Sequence, residues 1–143
     1  MQLYVLFLLF LSVTLLSHSS SLAALKNSPQ ADLVVKKVSI TKTYTDEAGH
    51  QHMKISYTIS NEGKALAPAS KLKMTKNNKD AIIRETPPLK PGESDTTTLN
   101  YEVTKEGNYQ FKFSADYQNR IPENNNANNE NTLYFGIGRA IGP

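Results

Sequence analysis

GNYQFKFSADYQNRIPENNNANNEN, residues 107 to 131, is the stretch on which the fold turns. Its first half alternates. Tyr109, Phe111, Phe113 and Ala115 share one side, and Gln110, Lys112 and Ser114 the other, as in a strand with one buried and one wet face. No other such run in the chain is as aromatic, which places this strand centrally. The second half, Asn119 to Asn131, is polar and dense in asparagine. Asx side chains bond nearby backbone and tolerate left-handed dihedrals. This half therefore reads as a turn that returns the chain to a last strand, Thr132 to Gly138, with Leu133, Phe135 and Ile137 inward.

The same period of two runs upstream. Ala31 to Tyr44 is rich in Val, Ile and Thr and reads as a first strand, bent near Lys36-Lys37. Lys54 to Asn61 turns Ile55, Tyr57 and Ile59 inward. Ser70 to Asn77 turns Leu72 and Met74 inward and Lys71 and Lys73 outward. Ile82 to Thr86 is a short strand stopped by Pro87-Pro88, which cannot donate to a ladder and suits a sheet edge. Ser94 to Val103 sets Thr97, Leu99, Tyr101 and Val103 on one face. Turn residues punctuate these runs: Asp46 to Gly49, Asn61-Glu62-Gly63, Asn77 to Asp80, Pro91-Gly92 and Lys105 to Asn108. At Asn61-Glu62-Gly63 the tolerance of Asn and Gly for the left-handed region suggests a tight turn or bulge. No segment of helical length shows a 3.6-residue period. The expected fold is all-β, an immunoglobulin- or fibronectin-III-like antiparallel sandwich of about seven strands.

The N-terminus stands apart. Leu3 to Leu16 is continuously apolar, Ser17 to Ser21 breaks it, and Ser21-Leu22-Ala23 offers small residues for signal peptidase. A membrane span needs about 20 apolar residues, so an uncleaved anchor is the less favoured reading. The expected organisation is a signal peptide at 1–23, a tether at 24–30, the sandwich at 31–138 and a tail at 139–143. Cleavage leaves about 120 residues, enough for one domain with a usable core. The chain is then secreted, periplasmic or on the cell surface, with no stable membrane span. It has no cysteine, so an exported fold must be held by packing rather than disulfides. A net charge of +3 without clustered arginine speaks against nucleic acid.

Taken in order, several short motifs resemble the CARDB family, the cell-adhesion-related domain found in bacteria. Asp32-Leu33-Val34-Val35 opens the domain. Tyr57 to Gly63 resembles an apolar strand ending in Asn-x-Gly, and Leu89-Lys90-Pro91-Gly92-Glu93 a Leu-x-Pro-Gly-Glu turn. Gly107-Asn108-Tyr109 followed by Ala115-Asp116 resembles a Gly-x-Tyr strand ending in Asp. Asn119 to Glu123, with Asn128-Asn129, resembles the closing turn. The resemblance covers nearly the whole mature chain. It implies an immunoglobulin-like sandwich in an exported or surface protein. One departure lies in the closing turn: Asn124-Asn125-Asn126-Ala127 stands where members often carry Asn-Glu, so one acidic group is missing.

Asp116, Asn119 and Glu123 are the calcium candidates, since hard cations want carboxylate and carbonyl oxygens. Two carboxylates without EF-hand spacing are few for calcium, and the structural turn is the favoured reading, with Glu123 accepting backbone N–H groups inside it. No other cofactor is indicated. Tyr109, two residues before Phe111, matches the tyrosine corner of sandwich domains, and Phe111 stands where antibody domains carry cysteine. His50 and His52 could share a strand face, but zinc needs more ligands than two histidines provide. Lys64, Lys71, Lys73, Lys76 and Lys79 make a positive stretch, read as a solvated face whose lysines also protect a sheet edge. No nucleophile elbow, metal triad or phosphate loop is present, and Glu102 and Glu106 lack a cleft-forming context, so an enzyme is not expected. The expected function is an exported binding or adhesion module for a protein or glycan partner. The alternatives are a structural subunit built by strand addition, with Leu25–Gln30 or Arg139–Pro143 as donor, and a small calcium-dependent accessory domain.

Overall fold

The computed structural model describes residues 28–79 and 81–138. The expected signal peptide, residues 24–27 of the tether and the tail at 139–143 lie outside them. Seven strands follow one another: β1 (Leu33–Thr45), β2 (Gln51–Asn61), β3 (Ser70–Lys76), β4 (Ala81–Thr86), β5 (Ser94–Val103), β6 (Gly107–Ser114) and β7 (Glu130–Ile137). They form two antiparallel sheets, ordered β1-β2-β5 and β4-β3-β6-β7. The sandwich expected from the sequence is the observed one, with the fourth strand in the larger sheet. The aromatic strand β6 lies between β3 and β7, centrally as expected.

Alternation explains which residues meet between the sheets. Ile55, Tyr57 and Ile59 of β2 face Leu72 and Met74 of β3 and Phe111 and Phe113 of β6, all nearly or wholly buried. Phe111 stacks on Phe135 at 5.3 Å between ring centroids and meets Tyr101 edge-on at 4.8 Å. Tyr109 closes the β5–β6 corner: its hydroxyl donates to the Lys105 carbonyl at 2.6 Å. That is the back-bond of a tyrosine corner, expected from its position before Phe111. β1 bends where the lysine pair sits, with its register shifting between Val35 and Lys37 and again between Ile40 and Lys42.

The turns follow their residues. Asn77 and Asn78 take φ of 48° and 58°, and the Lys79 N–H bonds the Lys76 carbonyl at 2.8 Å. Two consecutive left-handed residues make the primed turn that matches strand twist, and asparagine adopts it readily. Pro91-Gly92 forms a turn with Gly92 at φ 80°, a conformation glycine takes without a Cβ clash.

Two expectations are overturned. Asn61 and Gly63 do not make a left-handed turn, for neither has positive φ. Asn61 ends β2 with its side chain fully buried. Its Oδ1 accepts from the N–H of Asp32 and of Gly63, and its Nδ2 donates to the carbonyls of Ala65 and Leu89. Gly63 is needed for closeness instead, since a Cβ there would meet the Gln30 carbonyl oxygen at 2.4 Å. Lys71 and Lys73, in turn, protect no edge: β3 has β4 on one side and β6 on the other. Lys71 pairs with Glu85 at 3.2 Å, and Lys73 lies over the Tyr117 ring.

Candidate functional site

The connection from β6 to β7 runs from Ala115 to Asn129, somewhat earlier than its asparagines suggest, because β7 begins at Glu130. Asp116 and Asn119 take φ of 38° and 50°. The Asn119 N–H donates to the Asp116 carbonyl at 2.6 Å, and the buried Asp116 carboxylate accepts the Ile121 N–H at 2.8 Å. Asn126 donates from its amide to the Asn119 side-chain oxygen. These bonds hold a polar segment in one shape without regular structure.

Glu123 reaches further than expected. The backbone N–H that it accepts is not one of the turn's own. One carboxylate oxygen accepts the Leu33 N–H at the start of β1, and the other accepts the Asn129 amide at 2.9 Å. Residue 123 also bridges to Ala31, and Asn128 donates to Asp32. The closing turn is therefore bound to the opening of the domain, about ninety residues away in sequence. Burial pushes the Glu123 carboxyl above its ordinary value, and the nearby Asp116 and Asp32 add to the rise against its two hydrogen bonds.

A pH dependence follows. With its pKa raised on folding, Glu123 holds its proton more tightly in the folded chain than in the unfolded one. Its contribution to stability is full below the ordinary value of 4.5 and is lost as pH rises through the folded value. Glu123→Gln removes that slope. Melting temperatures of the two proteins, compared from about pH 4.5 to neutrality, are expected to diverge against the wild type as pH rises. A difference that stays flat contradicts the assignment.

Of the three calcium candidates, the structure joins Asp116 to Asn119 and turns Glu123 toward β1. Their carboxylates already accept N–H donors. Among the described residues, no three His, Asp or Glu side chains converge as metal ligands. The side-chain oxygens of Asn128 and Asn129 are nevertheless buried without a donor.

Beside the turn opens a cleft of about 480 Å³. Lys73 and Thr75 from β3, Lys112 and Ser114 from β6, Glu130 from β7, and Asn119, Asn126 and Asn129 from the turn line it. Lys112 pairs with Glu130 at 2.8 Å, and Ser114 donates to the same carboxylate at 3.0 Å. The Lys112 bond, the Ser114 bond and the nearby Lys73 charge hold Glu130 below the ordinary carboxylate range. Its two ammonium groups, Lys73 and Lys112, are balanced by two carboxylates, Glu130 and Asp116, and its amides and hydroxyls both donate and accept. It suits a hydroxylated ligand better than an apolar one.

A second cluster was hidden from sequence reasoning. At the far end of β2, Asp46 accepts from the His52 ring at 2.8 Å, and His50 lies 3.2 Å from Glu102. Tyr44 stacks on His52 at 4.8 Å. The His52 bond, followed by the His50 backbone bond, lowers the Asp46 pKa. Only the pairing of His52 with Glu102 across β2 and β5 reveals the group. The two histidines were legible in sequence, but their carboxylate neighbour from β5 was not.

Residues 30–133 match the family model described as CARDB. No curated protein matches the sequence. Among solved structures, the chain is similar to the CARDB domain of a Pyrococcus furiosus protein, described as a complex with di-metal ions. The TM-score is 0.62 and the identity 21%, over 76% of this chain and 90% of that one. It is similar to a domain of a protein assigned to the cell surface of Methanosarcina acetivorans, with TM-score 0.56 and 19% identity over 78% and 95% of the two chains. β-Glucosidase 3B from Thermotoga neapolitana shares the fold at TM-score 0.52 and 15% identity, over 76% of this chain but 16% of the glucosidase.

Proposed function

The chain belongs to the CARDB family, and from that premise we propose an exported, non-enzymatic adhesion or binding module that contacts a protein or glycan partner. The observation that carries the proposal is the cleft beside the closing turn, where Lys73 and Lys112 stand among hydroxyls and amides on a rigid sheet. Loops and cleft rims displayed by a sandwich are where such folds place their contacts. Export rests on the apolar leader and the small residues at Ser21-Leu22-Ala23.

The test is binding to an array of neutral and acidic glycans and to surface proteins from native extracts, with Lys73→Glu beside the wild type. Binding is expected to weaken with Lys73→Glu and to persist with Lys37→Glu, on the other sheet. Equal binding by all three proteins, or none by any, counts against the cleft. A second reading has calcium tightening the turn through Asp116, Asn119 and Glu123. The donorless oxygens of Asn128 and Asn129 favour it; the N–H partners already on the carboxylates oppose it. Calcium titration that releases no heat and leaves the melting temperature unchanged removes it.

A further inference from the structure

The four sheet edges are not alike. β1 is broken by two register shifts and carries Lys36, Lys37 and Lys42. β7 and the turn before it close against it: the Asn131 amide donates to the Val35 carbonyl, and the Val35 N–H donates to the Asn128 carbonyl. β4 is six residues long and runs into Pro87-Pro88. β5 has none of these protections. It spans ten residues, holds unbroken register with β2 from Ser94 to Val103, and contains no Lys, Arg, Pro or Gly. Among the described residues, no strand lies beyond it. Exported proteins blunt such edges unless the edge is used, because a long regular row of unpaired N–H and C=O groups templates another strand.

The register shows which groups are free. The Asn61 N–H donates to the Glu93 carbonyl. Hydrogen-bonded partners alternate along an antiparallel ladder, so the odd-numbered residues of β5 point their backbone groups at β2. The even-numbered residues, Ser94 through Glu102, point theirs outward.

We propose that β5 is a self-association edge, pairing antiparallel with β5 of a second copy about a twofold axis at Thr98. That centre pairs all the outward groups. Thr98 faces Thr98 of the second copy, Thr96 faces Asn100, and Ser94 faces Glu102. On the inner face Asp95 meets Tyr101 and Thr97 meets Leu99. No like charges lie opposite one another, although the strand carries two carboxylates. The two three-stranded sheets become one sheet of six. The proposal stands apart from the cleft, which lies on the other sheet and stays open in the dimer.

The experiment is sedimentation over a wide concentration range with wild type, Thr98→Lys and Thr98→Pro. The wild type is expected to reach twice the chain mass as concentration rises. Thr98→Lys sets two ammonium groups face to face at the axis, and Thr98→Pro removes an outward N–H that the monomer does not use. Each is expected to weaken the dimer at least tenfold, with an unchanged far-ultraviolet spectrum. The chain has no cysteine, so Thr98→Cys also gives a specific check: mild oxidation should trap a dimer, which Thr43→Cys on β1 should not form. A wild type that stays monomeric throughout overturns the proposal. So does a dimer that survives Thr98→Lys, or one that Thr98→Cys fails to trap.

Discussion

Replacing Asn61 with alanine is expected to lower the unfolding free energy by about 3 kcal/mol, summing roughly 1 kcal/mol for each orphaned partner. The side chain is wholly buried and makes four hydrogen bonds: from the N–H groups of Asp32 and Gly63, and to the carbonyls of Ala65 and Leu89. Those partners belong to the approach to β1, the β2–β3 connection and the approach to β5. Backbone bonds from Asn61 to Glu93 and from Gly92 to Asn61 join the same place. Truncation leaves three backbone groups unpaired at one end of the sandwich, the N–H groups of Asp32 and Gly63 and the Ala65 carbonyl, while the Leu89 carbonyl keeps the Ala67 N–H. Aspartate does not rescue it, because it sets a carboxylate oxygen against two carbonyls. Urea unfolding of wild type, Asn61→Ala and Asn61→Asp checks this. A loss below about 1 kcal/mol in both variants would show that water substitutes for the amide there.

Phe111→Ala is the other large effect, expected at about 4 kcal/mol, from lost burial and a cavity in a close-packed interior. Phe111 is completely buried. Its ring lies parallel to Phe135 within 2° and meets Tyr101 at 76°. It occupies the position at which antibody domains place a disulfide. A chain without cysteine puts aromatic packing there, so removing the ring weakens the contact between sheets as well as the interior of one. Phe111→Leu keeps most of the volume and is expected to cost about 1.5 kcal/mol or less. Thermal unfolding of both variants separates the cases. Equal losses for Leu and Ala would mean that ring geometry, rather than volume, sets the stability.

Strand periodicity carried well into three dimensions because its cause is local. Successive side chains leave a strand on opposite sides whatever the partner, so Ile55, Tyr57 and Ile59, or Phe111 and Phe113, had to share a face. Turns with local causes carried as well: Asn77-Asn78 and Pro91-Gly92 adopt the conformations their residues favour. Asn61 and Gly63 misled for the opposite reason. Their residue types fit a left-handed turn, yet one bonds two distant segments, at Asp32 and Leu89, as well as the chain just after it, and the other lets the backbone at Gln30 approach. Lys71 and Lys73 misled because alternation says which face a residue takes, not whether its strand is an edge. Of the calcium candidates, Asp116 and Asn119 were legible as turn formers. The Glu123 bond to Leu33 was not, since it spans the length of the domain.

By itself, then, the sequence determined the all-β class, the inward faces of the strands, most of the turns and the family. Each depends on residues close together along the chain. Only the tertiary structure decided which strands neighbour one another, and hence that β5 is the unprotected edge. It also decided that the closing turn is bound to the start of β1, that His52 meets Glu102, and that Lys73 and Lys112 face one cleft. These follow from packing two sheets together, and the contacts they create join residues that no local spacing relates.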